Sequence, residues 1–320
     1  MRVLVTGAGG FIGSHVCDAL VARGDSVVGV DSFDPFYDEA IKRKHIEGLD
    51  AGRFTLHEID IRDDGAMRRA FDAGTIDAVI HLAARAGVRP SIADPVGYAD
   101  VNVRGTSVVL ECARRAGVGR LVVASSSSVY GDAPSVPFCE DDHGIMPISP
   151  YAATKRAVEM LCHAHWHLTQ TPCACLRFFT VFGPRQRPDL AINKFMRLIA
   201  RGETIPMYGD GSSSRDYTYI DDIVAGVLAA LGRIDAYGFR VWNLGSDTPI
   251  RLDELIEKIA GVVGRPARVE RVGTQAGDVA RTWADLSRVR EDLGYEPSVD
   301  LVGGLERQSA WQRAMCERDS

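Results

Sequence analysis

Three glycines near the amino terminus constrain the fold of this 320-residue chain more than any other feature. Met1–Thr6 has the composition of a buried strand, and the turn Gly7–Gly13 that follows carries glycine at every third position. Glycine there permits a tight turn, a close backbone approach to a pyrophosphate, and close packing of the next helix. The free N–H groups that begin that helix favour phosphate. The turn therefore predicts a dinucleotide-binding βαβ unit, because it lies between a strand and a helix.

The first two thirds of the chain alternates short apolar runs with helical segments. The runs show little alternation of apolar and polar residues, which is typical of parallel strands buried on both faces. Further strands are expected at Ser26–Asp31, Ala78–Leu82, Leu121–Ser125 and Cys173–Phe178. Helices are expected at Gly13–Arg23, Val101–Ala116 and Tyr151–Thr169. This order predicts an α/β fold with a Rossmann-like, doubly wound parallel sheet.

After Phe178 the sequence changes to glycine-rich loops, short helices and brief strands. Helices are expected around Ile192–Arg201 and Leu252–Val263, and strands at Val241–Leu244 and Ala267–Arg271. We therefore predict a dinucleotide-binding domain over residues 1–177 and mainly a smaller C-terminal α/β substrate lobe over 178–320. Segments near 220–250 are expected to return to the first domain.

Charge and cysteine content narrow the class of protein. With 37 basic and 43 acidic residues, the net charge of -6 gives no reason to expect a nucleic-acid or membrane partner. No apolar run approaches the roughly eighteen residues of a membrane span, and the first residues lack the pattern of a signal peptide. The seven cysteines form no C-x-x-C pair, which favours free thiols in a reducing compartment. We expect a cytoplasmic protein.

Residues beyond the turn suit NAD as the dinucleotide. Asp31 ends the second predicted strand, where a carboxylate accepts hydrogen bonds from the adenosine ribose and repels a 2′-phosphate. Other candidates come from the turn itself and from strand ends at the carboxyl edge of the sheet. They are Gly7, Gly10, Phe11, Ile12, Gly13, Asp60, Ile61, Leu82, Ala83 and Ala84.

Tyr151 and Lys155 are four residues apart on a predicted helix, so their side chains project from one face. A nearby ammonium and a positive nicotinamide ring would lower the tyrosine pKa, so that the phenol takes a proton from a hydroxyl as hydride leaves the carbon. The run Ser125–Ser128 ends a predicted strand and supplies hydroxyls that can bind the reacting oxygen. The alternative is a surface helix with an extended lysine, which the position after the serine run disfavours.

In combination these segments resemble the extended short-chain dehydrogenase/reductase family. The matching segments are TGAGGFIGSH (Thr6–His15), HLAA (His81–Ala84), SSSSVYG (Ser125–Gly131), SPYAATK (Ser149–Lys155) and RDYTYIDD (Arg215–Asp222). The resemblance implies tightly bound NAD, a nucleotide-sugar lobe and a homodimer through a helix pair. It adds Ser32, Lys42, Asn102, Ser125, Tyr151 and Lys155 to the residues expected to hold NAD, and it implies that Ser126, Ser127 and Ser128 assist catalysis.

Other segments resemble, more narrowly, the UDP-glucuronate 4-epimerases. They are the stretch from Asp31 to Asp38, AGVRPSI (Ala86–Ile92) and RFFTVFGPRQRPDLA (Arg177–Ala191). Thr180 stands where UDP-galactose 4-epimerases usually carry asparagine. A guanidinium matches a uronate carboxylate with two parallel hydrogen bonds, which makes arginines in these segments candidates for the sugar. The substrate residues that this resemblance implies are Arg89, Ser127, Thr180, Arg185, Arg187, Lys194, Met207, Tyr208, Arg215, Gln275 and Asp278.

The implied function is inversion of C4 of UDP-glucuronate to UDP-galacturonate through a transient 4-keto sugar, with NAD⁺ regenerated in each cycle. Ser128 favours this reaction, because dehydratases and UDP-glucuronate decarboxylases typically carry glutamate there and elimination needs that extra acid/base group. The alternatives are a UDP-glucose 4-epimerase, then a UDP-glucuronate decarboxylase. Outside enzymes, the alternative is a catalytically silent NAD-binding regulator.

Two clusters of metal-binding residue types do not predict a metal site. Of His163, His165 and His167, only the first and last share a helical face, and no carboxylate or cysteine completes a set. Cys173 and Cys175 alternate on a strand, which we expect to direct their side chains to opposite faces. We expect no metal.

Overall fold

A computed structural model describes residues 1–142, 144–273, 277 and 279–318, with the backbone alone for 316–318. The strands are β1 (Arg2–Thr6), β2 (Ser26–Asp31), β3 (Phe54–Glu58), β4 (Ala78–His81), β5 (Arg120–Ser126), β6 (Cys173–Phe178), β7 (Thr180–Phe182), β8 (Thr204–Tyr208), β9 (Ser214–Tyr219), β10 (Phe239–Leu244), β11 (Pro249–Arg251) and β12 (Arg268–Val272). The α-helices are α1 (Phe11–Ala22), α2 (Glu39–Ile46), α3 (Asp64–Asp72), α4 (Val88–Ala93), α5 (Pro95–Ala99), α6 (Gly105–Arg115), α7 (Pro150–Thr169), α8 (Ala191–Arg201), α9 (Ile220–Arg233), α10 (Leu252–Val263), α11 (Ser287–Leu293) and α12 (Leu301–Arg318).

Seven strands form one parallel sheet in the order β10-β6-β5-β4-β1-β2-β3. Apolar side chains of α1 and α9 pack on one face, and those of α3, α6 and α7 pack on the other. The predicted Rossmann-like, doubly wound fold is confirmed. The chain leaves β1 toward β2 and later returns to β4 on the other side of β1. A crevice therefore opens at the carboxyl ends of β1 and β4, where doubly wound sheets bind ligands.

The two edge strands of this sheet are β3 and β10. The sequence did not predict β3, whose pattern is half exposed and mostly polar because it borders solvent. At the other edge, β10 pairs with β6 from Phe239 opposite Cys173 to Leu244 opposite Phe178. The chain thus returns to the large sheet after it has entered the smaller lobe.

The smaller lobe contains a three-stranded sheet, β11-β9-β7, and the parallel pair β12-β8, with α8 and α10 beside them. One apolar cluster continues from Val3 in β1 to Ile256 in α10, so the lobe and the large sheet share a core. In the described part of the chain, no helix has the length and apolar character needed to cross a membrane.

The expectation for the two strand cysteines was wrong. Cys173 and Cys175 are two residues apart, and alternate residues of a strand share a face. Their sulfur atoms and that of Cys162 on α7 all lie within 4.8 Å of one another, and all three side chains are buried. Hydrogen bonds among the thiols and burial keep the pKa of each thiol well above its ordinary value. All three side chains belong to the apolar cluster on the α7 side of the large sheet.

Candidate active site

One large cavity occupies the crevice at the carboxyl edge of the sheet. It reaches from the glycine turn to the start of α7 and the loop after β7. Most of the residues predicted from the sequence line it. They are Gly7, Gly10, Phe11, Ile12, Gly13, Asp31, Ser32, Lys42, Asp60, Ile61, Leu82, Ala83, Ala84, Ser125, Ser126, Tyr151, Lys155, Thr180 and Arg187.

The glycine turn leaves no room for larger residues. A Cβ on Gly13 would lie 1.9 Å from the carbonyl oxygen of Gly7, and Gly7 itself has a φ of +73°. Gly10 caps α1 without a side-chain hydrogen bond, so the first N–H groups of that helix face the cavity without a side chain over them. This arrangement fits the diphosphate of a dinucleotide, because phosphate takes N–H donors directly from a helix start.

Asp31 ends β2 with both carboxylate oxygens engaged. One accepts from the N–H of Gly9 at 2.9 Å and the other from the N–H of Phe33 at 2.8 Å. The carboxylate therefore fixes the turn and also borders the cavity, where its remaining lone pairs could accept hydrogen bonds from the ribose of a bound dinucleotide. Nearby, the buried Lys42 ammonium donates to the carbonyl oxygen of Asp34, which anchors the loop after β2.

A buried histidine, which the sequence reasoning missed, fixes the loop after β4. The two ring nitrogens of His81 lie 2.7 Å from the hydroxyl oxygen of Thr6 and 2.9 Å from that of Thr106. The Thr6 hydroxyl also accepts from the N–H of Ala83 at 3.2 Å. Burial lowers the pKa of His81 to about 3, so the ring stays neutral and can bridge two hydroxyls. Its signal in the sequence is the histidine that begins HLAA.

Asn102 does not line the cavity, contrary to expectation. Its amide oxygen accepts from the N–H of Arg85 at 2.8 Å, and its amide nitrogen donates to the Arg85 carbonyl and the Thr154 hydroxyl, both at 3.0 Å. Asn102 therefore joins the loop after β4 to α7. Its contribution to any cofactor site is to hold these two elements in place.

Tyr151 lies in the first turn of α7, at a start that the local sequence fixes. Ser149 is the N-cap, and its hydroxyl accepts from the N–H of Ala152 at 3.2 Å. Pro150 occupies the first helical position, where no N–H donor is needed. The N–H of Tyr151 donates to the hydroxyl of Ser91 at 3.0 Å, which ties the start of α7 to α4.

Burial raises the pKa of Tyr151, while a hydrogen bond with Ser126 and the charge of Arg187 act in the opposite direction. The sequence-based expectation of a lowered pKa is therefore not met by the protein groups alone. Ser126 ends β5, and its hydroxyl donates to that of Ser128 at 3.1 Å. Ser127 and Ser128 do not line the cavity, so Ser126 is the serine of this run that meets the tyrosine.

Lys155 lies one turn further along α7, and its side chain is almost completely buried. Its ammonium donates to the carbonyl oxygen of Ala124 at 2.8 Å. Burial lowers the pKa of Lys155 to about 8, and the nearby Cys162, Cys175 and Glu159 offset only part of the loss of water.

The next turn of α7 carries Glu159, the centre of a buried polar cluster. It accepts from the Ser125 hydroxyl at 2.6 Å and from two nitrogens of Arg177 at 2.8 and 3.0 Å. Burial opposes ionisation of Glu159, but Arg177 holds its pKa below the usual range. The cluster links α7 to β5 and β6, and it thereby fixes the helix that carries Tyr151 and Lys155.

Arg187 reaches the cavity from the loop after β7. Its guanidinium forms a two-pronged pair with Asp189 at 2.7 and 3.0 Å and donates to the carbonyl oxygen of Ala86 at 3.2 Å. The Phe36 ring lies over it, 4.9 Å from ring centroid to guanidinium carbon. Thr180, at the start of β7, lines the same end of the cavity. The sequence reasoning named no role for Phe36, although it noted the segment that contains it.

Several predicted substrate residues lie elsewhere. Arg185 is directed to α1, where it pairs with Asp18 at 2.6 Å, and it does not line the cavity. Its backbone is left-handed, with φ of 64°, and its role in substrate binding remains a prediction. Lys194 lines a separate shallow cavity with Asp189.

Arg89, predicted for the sugar carboxylate, does not border the cavity, and neither do the described residues of the smaller lobe that were predicted for the nucleotide. The Arg89 guanidinium stacks on the Tyr208 ring at 4.5 Å. Met207, the neighbour of Tyr208 in β8, is buried. Arg215 donates to the carbonyl oxygen of Ser214 at 2.9 Å. The remaining two candidates, Gln275 and Asp278, lie outside the described residues.

The fold and the site define a dinucleotide-dependent enzyme of the short-chain dehydrogenase/reductase type. Residues 3–245 match the model of the NAD dependent epimerase/dehydratase family. The UDP-glucuronate 4-epimerase of Thermodesulfobacterium geofontis is 40% identical over 317 residues, which cover 98% of this chain and 97% of that protein. This chain belongs to the NAD dependent epimerase/dehydratase family, within the extended short-chain dehydrogenases/reductases.

Two relatives with different substrates have solved structures that superpose on this chain almost equally well. The UDP-glucuronic acid 4-epimerase of Bacillus cereus, crystallised with UDP-glucuronic acid and NAD, superposes with a TM-score of 0.93 at 35% identity, covering 98% of this chain and all of that one. The UDP-glucose 4-epimerase of Thermotoga maritima, crystallised with UDP-glucose, gives 0.91 at 31%, covering 99% and 100%. Since both folds fit almost equally well, residues at the sugar end must carry the distinction.

Proposed function

We propose that this enzyme is an NAD-dependent isomerase that inverts C4 of UDP-glucuronate to give UDP-galacturonate through a transient 4-keto sugar. The observation that carries the proposal is the joint presence of Tyr151, Ser126 and Arg187 at one end of a dinucleotide cavity. Tyr151 and Ser126 can move and bind the proton of a sugar hydroxyl, and Arg187 can bind a carboxylate. The relative from T. geofontis, which is similar over nearly its whole length, carries the same activity in its name.

The protein groups act on the proton of the 4-hydroxyl. Ser126 binds the hydroxyl oxygen, and Tyr151 removes its proton and later returns it, which requires that the positive charges of Lys155 and the nicotinamide ring offset the effect of burial on the tyrosine pKa. Lys155, anchored on β5, lines the cavity and would supply positive charge and an N–H donor to the cofactor ribose. NAD⁺, when bound, supplies reversible hydride acceptance and regains its oxidised form within each cycle. The residues that would hold this cofactor are the tightly packed turn Gly7–Gly13, the first N–H groups of α1 and the Asp31 carboxylate.

Arg187 has a second task that follows from the chemistry of the intermediate. A 4-keto uronate is a β-keto acid, which loses CO₂ when the bond to its carboxylate aligns with the carbonyl π system. A guanidinium that holds the carboxylate away from this alignment preserves the sugar for epimerisation. Thr180 supports the assignment, because its hydroxyl supplies a further donor at the same end of the cavity.

The UDP group is assigned to the smaller lobe. Arg215 remains a proposal for the diphosphate, and Arg89, whose guanidinium stacks on the Tyr208 ring, remains a proposal for the sugar carboxylate. Gln275 and Asp278 remain proposals for the uridine ribose. Lys194, Ser127 and Ser128 remain proposals that require a rearrangement on binding, because they do not line the cavity.

The competing reactions require groups that the tyrosine end of the cavity lacks. Among the described residues that line it, the carboxylates are Asp31 at the end of β2, Asp34 on the loop after it, and Asp60 on the loop after β3. None is beside Tyr151, where a dehydratase or decarboxylase would need an additional acid/base group. The buried Tyr151–Lys155 pair also disfavours a catalytically silent regulator. A UDP-glucose 4-epimerase is the remaining alternative.

We further infer a cytoplasmic homodimer. The free thiols suit a reducing compartment. Met160 and Leu168 are exposed apolar side chains on α7, and we propose that this helix belongs to the helix pair that the family resemblance implies for a dimer.

The experiment that tests the function is incubation of the purified enzyme with UDP-glucuronate and with UDP-glucose separately, without added NAD. NMR of the products should show UDP-galacturonate from the first. Conversion of UDP-glucose alone would overturn the uronate assignment.

A further inference from the structure

Arg187 is the most buried of the three arginines that line the cavity. Its side chain is 14% exposed, compared with 34% for Arg62 and 31% for Arg85. A buried guanidinium has lost most of its water and requires partners that hold it in one orientation. The contacts of Arg187 show which of its donors remain for a ligand.

A guanidinium has five N–H donors in a fixed plane. In Arg187, Asp189 accepts from Nε and Nη2, and the carbonyl oxygen of Ala86 accepts from Nη1. One N–H on each terminal nitrogen is left over. The Phe36 ring covers the guanidinium face, so these remaining donors cannot rotate freely.

Asp189 holds the guanidinium from outside the cavity. Arg187 lines the large cavity together with Tyr151, whereas Asp189 does not line it and borders a separate cavity with Lys194. Asp189 is also 42% exposed, so its own charge remains hydrated. A ligand carboxylate therefore meets the two remaining N–H groups without having to displace Asp189.

We propose that Asp189 is a positioning residue for carboxylate recognition, fixing Arg187 so that its two remaining N–H donors face a sugar carboxylate. This inference rests on the proposed function, since it takes a uronate as the substrate. A neutral hexose gains nothing from that orientation, because its hydroxymethyl group cannot accept two charge-assisted hydrogen bonds. Asp189 thereby acts on specificity through Arg187 and Phe36 without contacting the sugar.

The test compares the NAD-loaded wild type with Asp189→Asn by calorimetry, using UDP-glucuronate and UDP-glucose as separate ligands. We expect the Kd for UDP-glucuronate to rise about tenfold and the Kd for UDP-glucose to stay unchanged, because a fixed charged hydrogen bond is lost for one ligand only. Asp189→Glu should restore part of the affinity. Glu111→Gln, which removes an exposed carboxylate from Arg114 and Arg115 and does not line the cavity, is the control for loss of charge.

Equal weakening for both ligands, or no change for UDP-glucuronate, would overturn the inference. The binding measurement is independent of turnover. If wild-type enzyme binds UDP-glucuronate but does not convert it, the proposed function fails while the comparison of affinities still decides the role of Asp189.

Discussion

The Lys155 ammonium lies 2.8 Å from the carbonyl oxygen of Ala124, so the catalytic helix is tied to the end of β5 by a buried charge. Ala124 is two residues before Ser126, and Lys155 is one turn after Tyr151. A single hydrogen bond therefore fixes the distance between the serine and tyrosine parts of the site. It also holds the charged Lys155 side chain in a buried position, where the loss of water lowers the free energy of unfolding.

The first prediction concerns that charge. In the cofactor-free protein, burial lowers the pKa of Lys155 to about 8, below its ordinary value. Between that pH and the unfolded pKa, the folded protein binds fewer protons than the unfolded chain, so the free energy of unfolding rises with pH. NMR of ¹³C-labelled lysine should show one resonance titrating near pH 8.

The chain has only five lysines, and Lys155→Met should remove that resonance. The variant should also lose the pH-dependent gain in stability above pH 8. A Lys155 resonance that titrates near the ordinary lysine pKa would contradict the burial argument.

The second prediction concerns the glycine turn. Gly13→Ala should yield folded protein that no longer retains NAD, since the new methyl group would overlap the carbonyl oxygen of Gly7 and displace the turn. The ratio of bound NAD to protein after purification measures this. Gly261→Ala is the matched control, because that helical glycine has open space around it and alanine should stabilise α10 by up to about 1 kcal/mol. Retention of NAD by Gly13→Ala would show that the turn is not the diphosphate site.

The third prediction concerns the buried cluster behind the site. Glu159→Gln should lower the free energy of unfolding by about 3–5 kcal/mol, because the Arg177 charge, which is 1% exposed, loses its carboxylate. Urea denaturation at neutral pH measures the loss. Glu111→Gln removes an exposed carboxylate from two arginines and should change stability little. Equal effects of the two substitutions would argue against a structural role for the buried pair.

The sequence alone predicted the parts of the site that depend on local backbone. The glycine turn, Asp31 and the S-P-Y start of α7 have short-range causes: a steric limit, a strand end and a helix cap. Each could be located from neighbouring residues, and the structure places each at the cavity.

The parts that the sequence did not predict depend on contacts between distant segments. Arg185 and Arg187 look equivalent in the sequence, and only the left-handed backbone at Arg185 directs it to Asp18. The His81 bridge and the position of Phe36 over Arg187 each join residues far apart in the chain. The strand β3 was missed for a different reason, since an exposed edge strand carries little apolar signal.

The most direct test of the central claim follows the hydrogen at C4. UDP-glucuronate deuterated at C4 is incubated with the enzyme in ordinary water, without added NAD, and the product is examined by NMR. The account predicts UDP-galacturonate that keeps its deuterium at C4, because the hydrogen taken from one face of the sugar is returned to the other. Product that carries solvent hydrogen at C4, or no UDP-galacturonate at all, would contradict it.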